Sequence, residues 1–226
     1  MDLTKENILK YFEEINEQLS EQNKFGEIVI AGGAALALVY NARNATQDID
    51  AIFSPKEAFR QIIKRIGNKY NLEDDWLNDG VKGFFTDKMT ASVYKEYSNL
   101  TVRSIDAECL LAMKLTSART DTNDAGDSIV LMKHLCIKEL DELYDIMEKY
   151  ALRNQLTAQA KFFAMEIFER YYKEREKCIF CKGKETLSGS KTKTTLMERL
   201  EEGKRKAAEY EKSDSTDKNA NRDSIE

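Results

Sequence analysis

The chain has 226 residues, with 35 lysines and arginines against 40 aspartates and glutamates, and a formal net charge of -5. That length buries one good core, with room for a second small helical unit. The acidic balance excludes binding of nucleic acid through overall charge and leaves only a local basic face. One proline in the chain points to long uninterrupted helices. Four cysteines are too few for a disulfide scaffold, and Cys109 and Cys136 read as small core residues. The start, "MDLTKENILKYFEEINEQL", is acidic and amphipathic and does not read as a signal peptide. No apolar run has the length of a membrane span. The expectation is a reduced, cytoplasmic protein with no membrane partner.

Ile8, Phe12, Ile15 and Leu19 recur at helical spacing, so the first segment is an amphipathic helix. "EIVIAGG" reads as a short buried strand ending in glycines, "AALALVYNAR" as a helix and "TQDIDAIF" as a second strand. "SPKEAFRQIIKRIGNKYN" reads as a helix with Ser54 as N-cap, Pro55 in the first helical position and Glu57 closing a capping box. "EDDWLNDGVKGFF" reads as a loop with one or two aromatic anchors, and "YSNLTVRSI" as a third strand. Four helical segments follow: "DAECLLAMKLTSAR", "DSIVLMKHLCI", "KELDELYDIMEKYAL" and "TAQAKFFAMEIFERYYKERE". Beyond about residue 182 apolar residues nearly vanish, which reads as a disordered tail. The order implies an α+β protein, a small mixed β-sheet packed by helices and followed by a helical bundle. The expected divisions are 1–108, 109–181 and 182–226.

Two features carry chemistry. Gly32-Gly33 ends a strand and opens a helix, where backbone N–H groups can face a phosphate or where backbone must approach backbone. No GK[ST] follows and no G-x-G-x-x-G is present, so neither a Walker A loop nor a dinucleotide fingerprint is at hand. Asp48 and Asp50 are two apart in an apolar strand, so both point to one face. Adjacent like charges call for a partner, and a divalent cation held by hard oxygens is the natural one; solvated acids on an edge strand are the alternative.

Strand, Gly-Gly, helix, then D-I-D on the next strand resembles the nucleotidyltransferase fold of the DNA polymerase β type. Gly32, Gly33, Asp48 and Asp50 match that pattern, and Arg43 and Thr46 lie in the connection. "CLLAMKLTSARTDTNDAGDSIVL" resembles the L-x-x-K-h-x-A-x-x-R and D-x-x-D segments of minimal nucleotidyltransferases found as AbiEii/MenT-type toxins, and "DWLNDGV" fits a W-L-N-D segment between the motifs. The resemblance implies Mg²⁺ (or Mn²⁺) on Asp48 and Asp50, and an NTP on Gly32, Gly33, Arg43, Thr46, Lys114, Arg119 and Asp127. It assigns Lys114 and Asp124 to catalysis and places Asp124 and Asp127 at a helix start. It also implies transfer to a hydroxyl acceptor such as a tRNA 3′ end or a protein side chain, and an antitoxin partner, with no DNA expected.

The chain departs from the family pattern in three ways. Asn123 stands where the D-x-x-D is usually preceded by lysine, and Ala125-Gly126 reads as a poorly helical insert. The third acid of the superfamily has only Asp106, at a strand's end, to represent it, since the strand's middle offers Arg103 and Ser104. A weakened enzyme, acting as a nucleotide- or RNA-binding module, is the competing reading.

Read without the family, Lys114 beside Leu110, Leu111, Met113 and Leu115 needs an anion, for which the Asp48/Asp50 cluster or a triphosphate would serve, unless its ammonium reaches water. Asp124 and Asp127 equally suit a helix N-terminus. Cys178-x-x-Cys181 is half of a zinc spacing and reads as incidental thiols. Aromatics from Tyr144 to Tyr172, interleaved with Lys149, Arg153, Lys161 and Arg170, read as a bundle core before an RNA-stacking face.

Overall fold

The computed structural model describes residues 2–117 and 123–177. The chain divides into two compact units between Met113 and Lys114.

The first unit is built on a five-stranded mixed sheet. Its strands are β2 (Gly26–Ile30), β4 (Ile49–Ser54), β5 (Leu77–Asn78), β6 (Ala91–Glu96) and β7 (Leu100–Ile105), in the order β5-β4-β2-β7-β6. The central strand β2 runs antiparallel to β4 and parallel to β7, while β4 is parallel to β5 and β6 antiparallel to β7. One edge of the sheet therefore gathers the ends of β2 and β7 and the starts of β4, β5 and β6. A two-residue pairing of β1 (Leu3–Thr4) with β3 (Ala45–Thr46) ties the start of the chain to the segment before β4.

Helix α1 (Lys5–Glu21) buries Ile8, Phe12, Ile15 and Leu19, the stripe legible in the sequence, and Thr4 Oγ1 caps it by accepting from the Asn7 N–H. Helix α3 (Lys56–Tyr70) buries Phe59, Ile62, Ile63 and Ile66. The Trp76 indole N–H donates to the Ile63 carbonyl (3.2 Å), and its ring meets Tyr11 edge-on at 5.3 Å. The Trp76 carbonyl in turn accepts from the Ile49 N–H (2.7 Å), so this anchor sets where β4 begins.

Several boundaries differ from expectation. Helix α2 (Gly32–Leu38) is shorter than the expected "AALALVYNAR". Lys5 Nζ donates to the Leu38 carbonyl at 3.0 Å, closing the helix there. Ser54 belongs to β4, paired with Glu27, so it does not cap α3; Pro55 takes the cap position in an extended conformation, with no side-chain cap. The "TQDIDAIF" strand is broken between β3 and β4, leaving Asp48 just ahead of the ladder. The expected third strand is β7, which starts only at Leu100; β5 and β6 were not expected at all. β6 is half-exposed, and a register shift between Val93 and Lys95 interrupts its alternation, so no period-2 signal announces it.

In the second unit, α5 (Asp124–Leu135), α6 (Leu140–Tyr150) and α7 (Ala158–Lys177) fall where the apolar pattern placed them. The last residues of α4 (Ala107–Ser117) lie beyond the division. Ala125 and Gly126 lie inside α5, against the expectation of a loose insert. The Ser128 hydroxyl donates to the Asp124 carbonyl (2.7 Å) there. Phe163, Phe168 and Tyr171 are buried in a bundle-core arrangement, while Phe162, expected among them, is exposed. Tyr171 Oη donates to the Ile137 carbonyl at 2.8 Å. Arg119, Cys178, Cys181 and the expected tail lie outside the described residues. Among the described residues no helix is long and apolar enough to cross a membrane.

Candidate functional site

The Gly-Gly turn and the acids meet at the sheet edge. Past the last ladder pair, Ile30 with Ala51, the Ala31 N–H donates to the Asp50 carbonyl (2.8 Å). The chain then turns at Gly32, whose φ of 54° lies in the left-handed region that L side chains disfavour. A methyl group built on Gly32 would stand 2.6 Å from Asp50 Oδ2. One built on Gly33 would overlap Thr46 Oγ1 and lie 3.2 Å from Arg43 Nη1. Both glycines are therefore required by what touches them. Gly32, Gly33, Arg43, Thr46 and Asp50, separated by up to eighteen positions in sequence, form one contiguous cluster. Thr46 is buried, while Gly32, Gly33, Arg43, Asp48 and Asp50 are half-buried and reachable from solvent.

Asp48 is held from the other side. Asn78 pairs with Asp50 in the β4–β5 register, and its Nδ2 donates to Asp48 Oδ2 at 3.0 Å. Sequence reasoning noted the W-L-N-D stretch without giving Asn78 a part in the site. The available signal was the placement of a short polar residue two positions after a tryptophan anchor.

Asp106 sits at the same edge, beyond β7. Thr90 Oγ1 donates to its Oδ2 (2.5 Å) and Ser92 Oγ to its Oδ1 (2.8 Å). Beside it, burial raises the Tyr40 phenol above its usual value, with the Asp106 charge and then Cys109 adding to the effect. Burial likewise raises the Cys109 thiol. Arg103 is two strands away from the acid pair: it lies opposite Val29 and binds Glu27 at 2.5 Å. Among the described residues no three His, Cys, Asp or Glu side chains form a group able to hold a metal ion. Asp50 lies against the turn and Asp48 against Asn78, and these are the two carboxylates of the D-I-D motif. Mg²⁺ commonly takes one or two carboxylates and completes its shell with water and phosphate oxygens, so the pair fits such an ion.

The second motif builds a buried ionic cluster of its own. Lys114 Nζ lies 2.5 Å from Asp124 Oδ1 and 3.1 Å from Asp127 Oδ2, with side-chain exposures of 14%, 8% and 3% respectively. Ser117 Oγ donates to Asp124 Oδ2 at 3.0 Å. The anions that the buried lysine needs are therefore Asp124 and Asp127, both in the first turn of α5, where acids also suit the helix dipole.

No curated protein and no solved structure matches the chain. A family model described as "Nucleotidyltransferase of unknown function (DUF6036)" matches residues 6–174, which hold the glycine turn, the acid pair and the Lys114 cluster. The chain belongs to that family of nucleotidyltransferases.

Proposed function

We propose that the protein transfers a nucleoside monophosphate from a nucleoside triphosphate to a hydroxyl acceptor, with release of pyrophosphate. The observation that carries this reading is the fit of Gly32-Gly33 against Asp50, Thr46 and Arg43. A turn with no room for side chains lets phosphates approach the backbone, beside the hard oxygen donors of two aspartates. Asp48 and Asp50 would hold Mg²⁺ or Mn²⁺, which when bound supplies charge neutralisation and activation of the attacking oxygen. Arg43 adds a guanidinium next to Gly33, a suitable donor to phosphate oxygens. Catalysis by these residues is then positioning and electrostatics, with little covalent work for the protein. The parts assigned to Lys114, Arg119, Asp124 and Asp127 rest on the toxin-like motif, as do a tRNA or other RNA 3′ end as acceptor, a protein hydroxyl in its place, and an antitoxin partner.

One observation favours a second reading, a nucleotide- or RNA-binding module with weakened catalysis. Both oxygens of Asp106, the candidate third acid, accept hydrogen bonds from Thr90 and Ser92. The test is incorporation from each α-³²P-labelled NTP, with Mg²⁺ or Mn²⁺, into total tRNA and into the protein itself. Label that vanishes in Asp48→Ala/Asp50→Ala supports transfer and names base and acceptor. Absence of label together with calorimetric NTP binding supports the module.

A further inference from the structure

Asn78 has a fixed amide. The Gly80 N–H donates to its Oδ1 at 2.9 Å, and since an N–H must meet an oxygen, this settles which way the side chain points. Nδ2 is then the donor, to Asp48 Oδ2 at 3.0 Å and to the Asp75 carbonyl at 3.3 Å. The backbone under it is equally constrained. Asn78 pairs with Asp50 in the β4–β5 register, Leu77 is buried opposite Ile49, and Trp76 is locked to the Ile63 carbonyl. The edge strand thus presents one N–H to one carboxylate oxygen, leaving Asp48 Oδ1 and a lone pair of Oδ2 for another partner.

We propose that Asn78 is a positioning residue that fixes the Asp48 carboxylate in the orientation that binds a divalent cation. This rests on the proposed nucleotidyl transfer for the cation's purpose, and it adds a residue that neither the D-I-D motif nor the glycine turn contains. An unheld aspartate must lose rotamer freedom when it takes a cation; one already held by a side chain on a neighbouring strand has lost it on folding. Partners that orient a metal ligand commonly change metal affinity by about 10- to 100-fold when removed.

The experiment is a Mn²⁺ titration by electron paramagnetic resonance without nucleotide, on wild type, Asn78→Ala, Asn78→Ser, Asp48→Ala and the double variants with Asp48→Ala. Serine keeps an oxygen for the Gly80 N–H through a local turn yet is too short to reach Asp48, so it serves if the alanine variant loses its fold. Circular dichroism and the thermal midpoint establish that each variant is folded. The expected result is Mn²⁺ binding about 10-fold weaker in Asn78→Ser than in wild type. Added to Asp48→Ala, the same change should have no further effect, because Asn78 acts through Asp48. Affinity equal to wild type in a folded Asn78 variant overturns the proposal, as does a loss that persists undiminished in the Asp48→Ala background, the mark of a purely structural role. Wild type that binds no Mn²⁺, even with NTP present, overturns the metal-dependent reading of the site and this proposal with it. Binding lost in Asp48→Ala but unchanged in Asn78→Ser overturns this proposal alone.

Discussion

At Gly32 a single hydrogen stands between the backbone and the Asp50 carboxylate. Gly32→Ala meets two penalties together: a left-handed φ of 54° and a methyl placed 2.6 Å from Asp50 Oδ2. We expect a loss of about 1–3 kcal/mol in urea unfolding from strain and overpacking. We also expect loss of nucleotidyl transfer, because the methyl displaces the carboxylate. A variant as stable as wild type would show that the turn relaxes easily, against the close fit seen here. The acids behave oppositely. Asp48→Asn/Asp50→Asn should abolish transfer with the fold kept, since asparagine preserves side-chain size and leaves an oxygen to accept from Asn78 Nδ2. A large destabilisation would mean that the pair is held by the fold for structural reasons. At this scale the sequence named Gly32, Gly33, Asp48 and Asp50 because rare residue types stood where chemistry needs them. It left Asn78 out because a hydrogen bond between residues thirty positions apart has no periodic signal.

At the scale of elements, legibility followed periodicity. Helix α1 and the bundle helices have long apolar stripes and lie where those stripes placed them. The edge strands β5 and β6 were missed, being two residues long in one case and interrupted by a register shift in the other. The Ser54 cap fails for a tertiary reason: the β4 ladder claims that residue. The junction of α4 and α5 was legible as a motif, yet its energetics come from geometry. Lys114→Ala removes the ammonium from between Asp124 and Asp127, both nearly fully buried. Removing one partner from a buried ionic cluster costs about 3–5 kcal/mol. We therefore expect a large drop in the urea midpoint of the helical unit, read by far-ultraviolet dichroism. A neutral effect would show that the ammonium is hydrated in solution. The other end of α5 offers a gain. Cys136 closes the helix with φ of 56°, a position suited to glycine, and its side chain is exposed. Cys136→Gly should stabilise by up to about 1 kcal/mol by relieving left-handed strain. An unchanged midpoint would mean that the added freedom of the unfolded chain cancels that relief.

At the scale of the whole molecule, half-buried phenols link stability to pH. Tyr40 and Tyr94 belong to the first unit and Tyr144 to the second. Each is held above its ordinary value, chiefly by burial, with Asp106 adding at Tyr40 and Asp141 at Tyr144, and Lys95 opposing at Tyr94. Burial raises the Cys109 thiol in the same way. These groups lose their protons at lower pH in the unfolded chain than in the folded one. Above the unfolded values, about 8.5 for the thiol and about 10 for the phenols, the unfolded state therefore binds fewer protons. Stability then falls as pH rises. Their contribution is whole below the unfolded values and is lost progressively as pH climbs through the folded ones. We expect the urea midpoint to decline from about pH 9 upward. The decline should be visible in Trp76 fluorescence, since the single tryptophan lies in the first unit, and in the helical dichroism to which the second unit contributes. Tyr40→Phe and Tyr144→Phe remove the ionisable hydroxyl while keeping the ring, so each should make the alkaline slope shallower. If the midpoint were level from about pH 9 to 11, or if neither variant changed its slope, these phenols would be ionising in the folded chain as readily as in the unfolded one. Their burial would then be less complete in solution than the structure shows.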